Sequence, residues 1–301
     1  FARSSLTSAF PLLVANRFLN INRAKIIFWS CGQDMVPLSY IPNPKNIKRF
    51  FSKIIAWLTF KGINYLATGP EKMVDYYHQN YKIKKNKILN LYNDISLDRF
   101  YPISPDEKSL MKAQLLNTNK KVILFVHTFN KSRGIDILPK IARKIKKMHL
   151  NVLILTIGRP GDYSIELNKI VEKEQISEIL INLGKVSNKD IAKYYQIADL
   201  FIMPSRGEGF PRVLLESMSC KCPTIAFNIG GVANILASKT HEELLINKDD
   251  DELFINQSLK IINNDLLLNQ LAEDSFEKVT EYSTDKIAAM YLDCLLQINK
   301  A

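Results

Sequence analysis

The second half of the chain alternates continuous apolar runs with amphipathic segments. Apolar runs of this length are typical of strands buried on both faces, and apolar positions at helical spacing indicate helices between them. The predicted strands are Val122–Val126, Val152–Ile157, Ile179–Leu183, Leu200–Pro204 and Pro223–Phe227. The predicted helices are Gly134–Met148, Tyr163–Gln175, Asn188–Ala198 with an Asn188 cap, Asp251–Asn263, Asp265–Val279 and Thr284–Ile298. This order predicts a parallel sheet in an α/β fold.

The first half carries a weaker form of the same alternation. Its predicted helices are residues 4–20, Lys48–Lys61 and Glu71–Asn80, and its predicted strands are Ala24–Trp29, Asn64–Thr68 and Lys87–Tyr92. A loop with Pro102 and Pro105 is taken as the domain boundary. We therefore expect a first domain over 1–104, a second over 105–283, and a terminal helix over 284–301 that returns to the first domain.

The stretch from Ser205 to Glu216 joins a buried strand, a loop with two glycines and a helix that Pro211 opens. A helix start after such a loop presents free N–H groups and a positive dipole end to an anion. Glu208 and Glu216 lie eight residues apart, one in the loop and one in the helix, and are expected to accept hydroxyl groups of a ribose or a sugar. Ligands of parallel sheets bind beyond the carboxyl ends of the strands. The residues at these ends are His127, Gly158, Gly184, Ser205 and Asn228.

Composition narrows the class of protein. The 301 residues are 47% hydrophobic and carry a net charge of +11, and from Lys45 to Lys87 ten basic residues face two acidic ones. This field attracts polyanions, although a lysine-rich proteome explains it equally well. The four cysteines form no CxxC pair, which favours free thiols in a reducing compartment. The apolar runs are too short to span a bilayer, and a chain that begins with Phe1 is expected to be a fragment of a longer protein.

Several segments together resemble the retaining GT-B glycosyltransferases of family 4. Glu208 to Glu216 matches their E-x7-E pattern, and Arg133-Gly134-Ile135-Asp136 resembles their "KGID" helix start. Ala198 to Ser205 resembles "A-D-L-F-V-L-P-S", Ile181 to Gly184 resembles "V-x-F-L-G", and Gly230-Gly231 matches a double glycine. The resemblance covers roughly residues 85–300. It implies two Rossmann-like domains facing a cleft, the first incomplete, with the donor nucleotide sugar held mostly by the second.

The resemblance also implies roles for individual residues. Glu216 would bind the ribose, Glu208 would lie near the donor sugar, and Arg133 would neutralise the leaving diphosphate. The remaining donor-binding positions are Gly209, Phe210, Pro211, Leu214, Leu215, Gly184 and Thr128, with Cys31 and His127 on the sugar side.

Four positions depart from the family pattern. Thr128 stands where the family has Arg, and Cys31 where it has His. Lys221 replaces a Gly, and Asn234 stands where Glu is common. The run Asp249-Asp250-Asp251 contains a D-x-D pattern, but it precedes a helix and is better explained as an N-terminal cap. The histidines lack metal-ligand spacing.

The resulting hypothesis is transfer of a sugar from a nucleotide-diphosphate donor to an acceptor hydroxyl with retention, without a metal or other cofactor. The expected partners are the donor and an acceptor glycan or lipid-linked glycan in surface polysaccharide or glycolipid synthesis, and not nucleic acid. The expected location is the cytoplasm, with peripheral association at the inner face of the membrane. The alternatives are a GT-B sugar-nucleotide epimerase, a degenerate partner-binding paralogue, and nucleic-acid binding through the basic patch, which no recognition motif supports.

Overall fold

The computed structural model describes residues 2–3, 25–30, 47–69, 71–238, 240 and 244–300. The chain forms two compact units. One contains the chain up to Asn93, the loop Glu208–Phe210 and the end of the chain from Ile287, and the other contains Asp94–Gly207 and Pro211–Lys286. The boundaries predicted from the sequence are residues 104 and 283. Both Cys31 and the predicted helix over residues 4–20 lie outside the described residues.

The first unit contains a parallel sheet in the order β1-β2-β3-β4. Its strands are β1 (Ala2–Arg3), β2 (Ile27–Trp29), β3 (Tyr65–Thr68) and β4 (Ile88–Asn90). Helix α1 (Ile47–Gly62) precedes β3, and α2 (Glu71–Tyr81) connects β3 to β4. Crossover helices between parallel strands are the arrangement that the alternating pattern predicts.

Apolar side chains cover both faces of this first sheet. An aromatic cluster fills one face, where the Phe60 ring lies 4.8 Å from Tyr81 and 6.0 Å from Phe28. On the other face Ile27 and Ala67 pack with Ile298 of the terminal helix α11 (Thr284–Lys300). Strands buried on both faces read as apolar runs, which explains the sequence of β2 and β3. Of the helices in the described ranges, none has both the length and the apolar character needed to cross a membrane.

The second unit contains a five-stranded parallel sheet in the order β7-β6-β5-β8-β9. Its strands are β5 (Lys121–Val126), β6 (Val152–Ile157), β7 (Leu180–Gly184), β8 (Leu200–Met203) and β9 (Thr224–Ala226). Its helices are α3 (Pro105–Leu116), α4 (Leu138–Lys147), α5 (Ser164–Lys173), α6 (Ile191–Ile197), α7 (Arg212–Ser219), α8 (Val232–Ile235), α9 (Asp251–Ile262) and α10 (Asp265–Val279). The strands β6 and β7 follow β5 on one side and β8 and β9 lie on its other side, so the strand order reverses at β5, as in doubly wound α/β folds.

Two local predictions are wrong. The loop predicted around Pro105 is the first turn of α3, where the Ser104 hydroxyl accepts from the Glu107 N–H and the Glu107 carboxylate accepts from the Ser104 N–H. This capping box was readable as Ser-x-x-Glu with a proline after the cap. Asn188 does not cap α6, which begins at Ile191 after a turn in which Ser187 bonds Asp190. The predicted cap of α9 is confirmed, because an Asp250 carboxylate oxygen accepts from the Leu253 N–H at 3.1 Å.

A mostly buried carboxylate ties α3 to the sheet. Asp199, before β8, accepts from the ammonium groups of Lys112 at 2.6 Å and Lys108 at 2.8 Å and from the Val122 N–H at 2.7 Å. Burial alone would raise the pKa of Asp199, but the two lysines outweigh it and lower the pKa below its ordinary value. The ion pairs therefore stabilise the fold above that ordinary value, and this contribution is lost as pH falls through the lowered pKa.

Two loops of the second sheet approach each other closely at Gly134. This residue has φ +77°, and a Cβ atom there would lie 2.0 Å from the Pro204 carbonyl oxygen. The chain after β5 can therefore pass under the end of β8 only if residue 134 lacks a side chain. Gly207 lies in the loop that follows β8, three residues after Pro204, and has open space where a Cβ atom would lie.

These two glycines make a matched pair of substitutions. We predict that Gly134→Ala lowers the free energy of unfolding by about 2 kcal/mol or more, since an L residue at positive φ is strained and its Cβ would clash. Gly207→Ala is expected to change it by less than about 0.5 kcal/mol. Urea unfolding followed by circular dichroism measures both. Equal effects of the two substitutions would contradict the close approach.

Candidate active site

The carboxyl ends of the five strands of the second sheet lie at one edge, because all the strands are parallel. The residues that follow the strands are His127, Gly158, Lys185, Pro204 and Phe227. Loops from different parts of the chain therefore meet there. Among them are two segments singled out from the sequence, the turn around Arg133 and the loop that leads to Glu216.

Helix α7 begins at this edge without a side-chain cap. Pro211 occupies the N-cap position and has neither an N–H nor a side-chain acceptor. The Leu214 N–H reaches the Pro211 carbonyl at 3.3 Å, while the side chains of Leu214 and Leu215 are fully buried in the core. Only the backbone of these two residues can therefore serve a ligand. The first turn of α7 has the polarity that an anion requires.

Glu216 lies on α7 with its carboxylate mostly buried. The Tyr195 hydroxyl donates a hydrogen bond to its Oε2 at 2.9 Å. Burial raises the pKa of Glu216 above its ordinary value, and the Tyr195 hydrogen bond and the charges of Arg212 and Arg99 offset this in part. A carboxylate in this position has oxygen atoms suited to accepting hydroxyl groups of a ligand.

Tyr195 fixes this carboxylate from helix α6. Its ring is fully buried and lies 5.5 Å from the Phe201 ring and 6.2 Å from the Phe100 ring, so packing restricts where its hydroxyl oxygen can lie. Burial, and then the charge of Glu216, raise the pKa of Tyr195 well above its ordinary value. The hydroxyl therefore stays protonated and remains a donor to Glu216.

Arg133 ends the 3-10 turn Lys131–Arg133 that follows β5. Its Nη1 donates to the Gly207 carbonyl at 2.6 Å and to the Ser205 hydroxyl at a longer 3.4 Å. The structure thus brings Arg133 together with the loop that precedes Glu208 in the sequence. The Arg133 guanidinium therefore supplies positive charge at the loop that leads to α7.

The other predicted positions of the second unit lie at the same edge. His127 follows β5, and its Nδ1 accepts from the Thr128 N–H at 2.8 Å, so the neutral ring carries its proton on Nε2. Gly184 ends β7 with φ +66°, and its carbonyl accepts from the Gly158 N–H at 2.9 Å. Thr128 has no charge to replace the arginine of the family pattern.

The loop Glu208–Phe210 groups with the first unit, whereas Glu216 belongs to the second. The Phe210 carbonyl accepts from the Asn93 amide at 2.9 Å, and the Phe210 ring lies 5.4 Å from the Tyr92 ring. Gly209 and Phe210 are buried, and Glu208 is partly buried.

One departure from the family pattern, Lys221, has a local explanation. Lys221 stands at φ +51°, where a glycine is easier to place. Its ammonium bonds both oxygens of Glu273 at 2.7 Å and lies 5.2 Å from the Phe276 ring, which offsets the strain. The Asn234 backbone carbonyl accepts from the Tyr282 hydroxyl at 3.3 Å, a contact that does not explain the choice of side chain there. Among the described residues, no group of three or more acidic, histidine or cysteine side chains could hold a metal ion.

The sequence did not indicate two residues that organise this edge. In the sequence, Tyr195 is one of several apolar positions on an amphipathic helix, and its neighbours do not indicate that its hydroxyl has a partner. Arg206 lies inside the motif, but the side chains and carbonyl that its guanidinium contacts belong to residues more than 40 positions away in the sequence.

Comparison with curated proteins finds glycosyltransferases. An uncharacterized glycosyltransferase of Methanocaldococcus jannaschii is 30% identical over 163 residues, which are 54% of this chain and 44% of that protein. The N-acetyl-alpha-D-glucosaminyl L-malate synthase of Bacillus anthracis is 23% identical over 271 residues, 89% of this chain and 67% of that protein. Several alignments thus span only about half the length of the relatives.

Solved structures show the same fold. HepE of Anabaena, crystallised with UDP and glucose, superposes with a TM-score of 0.81 at 16% identity over 100% of this chain and 78% of HepE. A sucrose-phosphate synthase of Thermosynechococcus elongatus gives 0.76 at 19% identity, over 95% of this chain and 71% of that one. The chain has the α/β architecture with parallel sheets of GT-B glycosyltransferases.

The sequence profile of the glycosyl transferases group 1 matches residues 106–278, which is more than half of the chain and includes every strand of the second sheet. The chain therefore belongs to the glycosyl transferases group 1 family.

Proposed function

We propose that this chain transfers a sugar from a nucleotide-diphosphate donor to an acceptor hydroxyl, with retention of the anomeric configuration. The bond between the anomeric carbon and the diphosphate breaks, the acceptor oxygen forms the new bond on the same face, and the proton of the acceptor hydroxyl passes to the departing diphosphate oxygen. The proposal rests above all on the Glu216 carboxylate, which Tyr195 holds at the edge where ligands of parallel sheets bind.

In the proposal Glu216 accepts the ribose hydroxyls of the donor. A carboxylate can accept about four hydrogen bonds, so Glu216 has capacity for donors besides the Tyr195 hydroxyl, and two adjacent hydroxyl groups match its two oxygens. The raised pKa supports a ligand role, because burying this charge disfavours folding and would be avoided in a purely structural position. HepE, which shares the fold, binds UDP.

The diphosphate would lie at the start of α7. The backbone N–H groups near Leu214 and Leu215 and the Pro211-opened helix end would attract it, and the Arg133 guanidinium would neutralise the charge that develops on the leaving group. Arginine forms paired hydrogen bonds to phosphate and so replaces the lysine of the family pattern. These groups supply the positive charge, and the proposal uses no metal ion.

The sugar would contact the remaining predicted positions. Glu208 and the backbone of Gly209 and Phe210 would lie at the donor sugar, with Thr128 and Gly184 among the donor-binding positions. His127 would offer its Nε2–H as a donor on the sugar side. Cys31, which stands where the family has histidine, is the other sugar-side residue that the resemblance implies, and it lies outside the described residues.

The acceptor in the proposal is a glycan or a lipid-linked glycan of surface polysaccharide or glycolipid synthesis, reached from the cytoplasmic side of an anionic membrane. Helix α1 supports this choice, because it exposes Ile54, Trp57 and Leu58 by 38%, 47% and 40%. The Lys61 ammonium lies 4.9 Å from the Trp57 ring. Apolar and basic side chains together favour the surface of an anionic bilayer.

Calorimetric titration with UDP, GDP and ADP tests the donor. We expect one of them to bind with a dissociation constant in the micromolar range, about −8 kcal/mol, and Glu216→Gln to weaken that binding by about tenfold or more, because a neutral amide accepts hydroxyl groups less strongly. Glu174→Gln, a carboxylate paired with Arg143 in the same unit, serves as the matched control.

Absence of binding by all three nucleotides would contradict the proposal. Incubation of the matching nucleotide sugar then tests the reaction. We expect a product only when an acceptor alcohol is added, with the anomeric configuration of the donor seen by NMR. Conversion of the sugar nucleotide without an acceptor would indicate an epimerase instead.

Glu216→Gln also makes a prediction about stability. A carboxyl whose pKa is raised by folding loses stability as pH rises from its ordinary value of 4.5 through the raised pKa. We therefore expect the variant to be more stable than the wild type at pH 7.5, with the difference vanishing near pH 4. Urea unfolding at both pH values measures this. A variant that is less stable by the same amount at both would show that the charge is not penalised.

Vesicle sedimentation tests the membrane part of the proposal. Binding is expected to phosphatidylcholine vesicles that contain phosphatidylglycerol, to fall with salt, and to weaken in Leu58→Ala. Leu110→Ala, on α3 and 62% exposed, is the matched control. Equal binding by both variants would exclude α1 as the membrane contact.

A further inference from the structure

Two loops of the second unit meet because their strands are neighbours. The turn Lys131–Arg133 follows β5, the loop Ser205–Gly207 follows β8, and β5 pairs with β8 in the sheet. The close approach of Gly134 to the Pro204 carbonyl brings the two backbones together just below these loops. A side chain in either loop can therefore reach the backbone of the other.

Two arginines join the loops in opposite directions. The backbone N–H of Arg206 donates to the Ser132 carbonyl and its Nη1 to the Lys131 carbonyl, both at 2.9 Å. Arg133 returns the contact, with its Nη1 2.6 Å from the Gly207 carbonyl. Each arginine thus donates to a backbone carbonyl of the loop that contains the other arginine. The positions of the two guanidinium groups therefore depend on each other.

Carboxylates fix the Arg206 guanidinium from the other side. Asp136 accepts from Nη1 at 2.8 Å and from Nη2 at 3.2 Å, a paired geometry. Asp251 accepts from Nη2 at 3.0 Å, and Asp249 lies 3.3 Å from Nε. Lys140 bonds the other oxygen of Asp251 at 2.8 Å. The guanidinium is 20% exposed and is surrounded by three acidic side chains.

These surroundings give the two arginines different tasks. A phosphate that approached Arg206 would meet the charges of three carboxylates, so Arg206 is poorly suited to bind an anion. Arg133 donates to the Gly207 carbonyl and to the Ser205 hydroxyl, and these contacts hold its guanidinium at the loop that leads to α7.

We propose that Arg206 is a positioning residue that fixes the guanidinium of Arg133 against the diphosphate of the donor. It does so by clamping the loop Ser205–Gly207 onto the turn Lys131–Arg133, and this inference rests on the proposed function of Arg133. Lysine could not replace it, because a single ammonium cannot hold a paired carboxylate, a second carboxylate and a carbonyl in one plane.

A double-mutant cycle tests the proposal. UDP, GDP and ADP are titrated into the wild type, Arg206→Gln, Arg133→Gln and the double variant, with uridine as a ligand that lacks the diphosphate. We expect Arg206→Gln to weaken nucleoside diphosphate binding about tenfold, the size of one weakened charge-assisted hydrogen bond, and to leave uridine binding unchanged. In the Arg133→Gln background the same substitution should have no further effect, because Arg206 acts through Arg133.

The matched control is Arg143→Gln, which removes an arginine of α4 that pairs with Glu174 and should leave nucleotide binding unchanged. Circular dichroism melting sets a titration temperature at which all variants are folded. If Arg206→Gln does not fold, Arg206→Lys takes its place in the cycle with the same expected coupling.

Effects of the two substitutions that simply add would overturn the proposal, as would equal loss of uridine and diphosphate binding. A substitution at Arg206 that lowers the melting temperature without changing diphosphate affinity would assign it a structural role only. If the wild type binds none of the three nucleotides, the proposed function itself fails, which is distinct from a wild type that binds with additive variants.

Discussion

A carboxylate that is mostly buried lowers the stability of the fold unless hydrogen bonds and nearby positive charges compensate for its lost hydration. The candidate site of the second unit is organised around one such group, Glu216. Glu216 lies on α7, whose neighbouring residues Leu214 and Leu215 are anchored in the core. Tyr195 donates to it from the neighbouring helix α6. The aromatic contacts of Tyr195 with Phe100 and Phe201, and the uncapped start of α7, all bear on this one position.

The loops around Glu216 are held by backbone contacts more than by side-chain packing. Gly134 permits the approach of two chain segments that no larger residue would allow. Arg133 and Arg206 then join the same segments through carbonyl groups. A site assembled in this way is set before a ligand arrives, which is the condition for electrostatic stabilisation of a developing charge.

The sequence predicted the second sheet well because its strands are buried on both faces and read as uninterrupted apolar runs. Val122–Val126 and Val152–Ile157 fall within a residue of β5 and β6. The first sheet was harder, since β2 and β4 contain only three residues each and polar neighbours extended the predicted runs. The sequence contains the capping box of α3, but Pro102 and Pro105 nearby are also typical of a linker, and the linker interpretation was wrong.

The motif that identifies the family was visible from residue types and spacing, but its supporting contacts were not. Tyr195 reaches Glu216 from 21 positions away and Asp136 reaches Arg206 from 70 positions away. No local pattern encodes such pairs, since they depend on which strands become neighbours in the sheet. Nor could spacing reveal that Glu208–Phe210 groups with the first unit while Glu216 stays with the second.

The central claim is that Glu216 binds the ribose of a nucleotide donor. The most direct measurement compares the affinities of the wild type and of Glu216→Gln for UDP and for its 2′,3′-dideoxy analogue by calorimetry, with the guanine and adenine pairs in parallel. The account predicts that the wild type loses about tenfold or more in affinity when the two hydroxyls are removed, and that Glu216→Gln no longer distinguishes the ligands. Equal affinity of the wild type for the ribose and dideoxyribose nucleotides would contradict it.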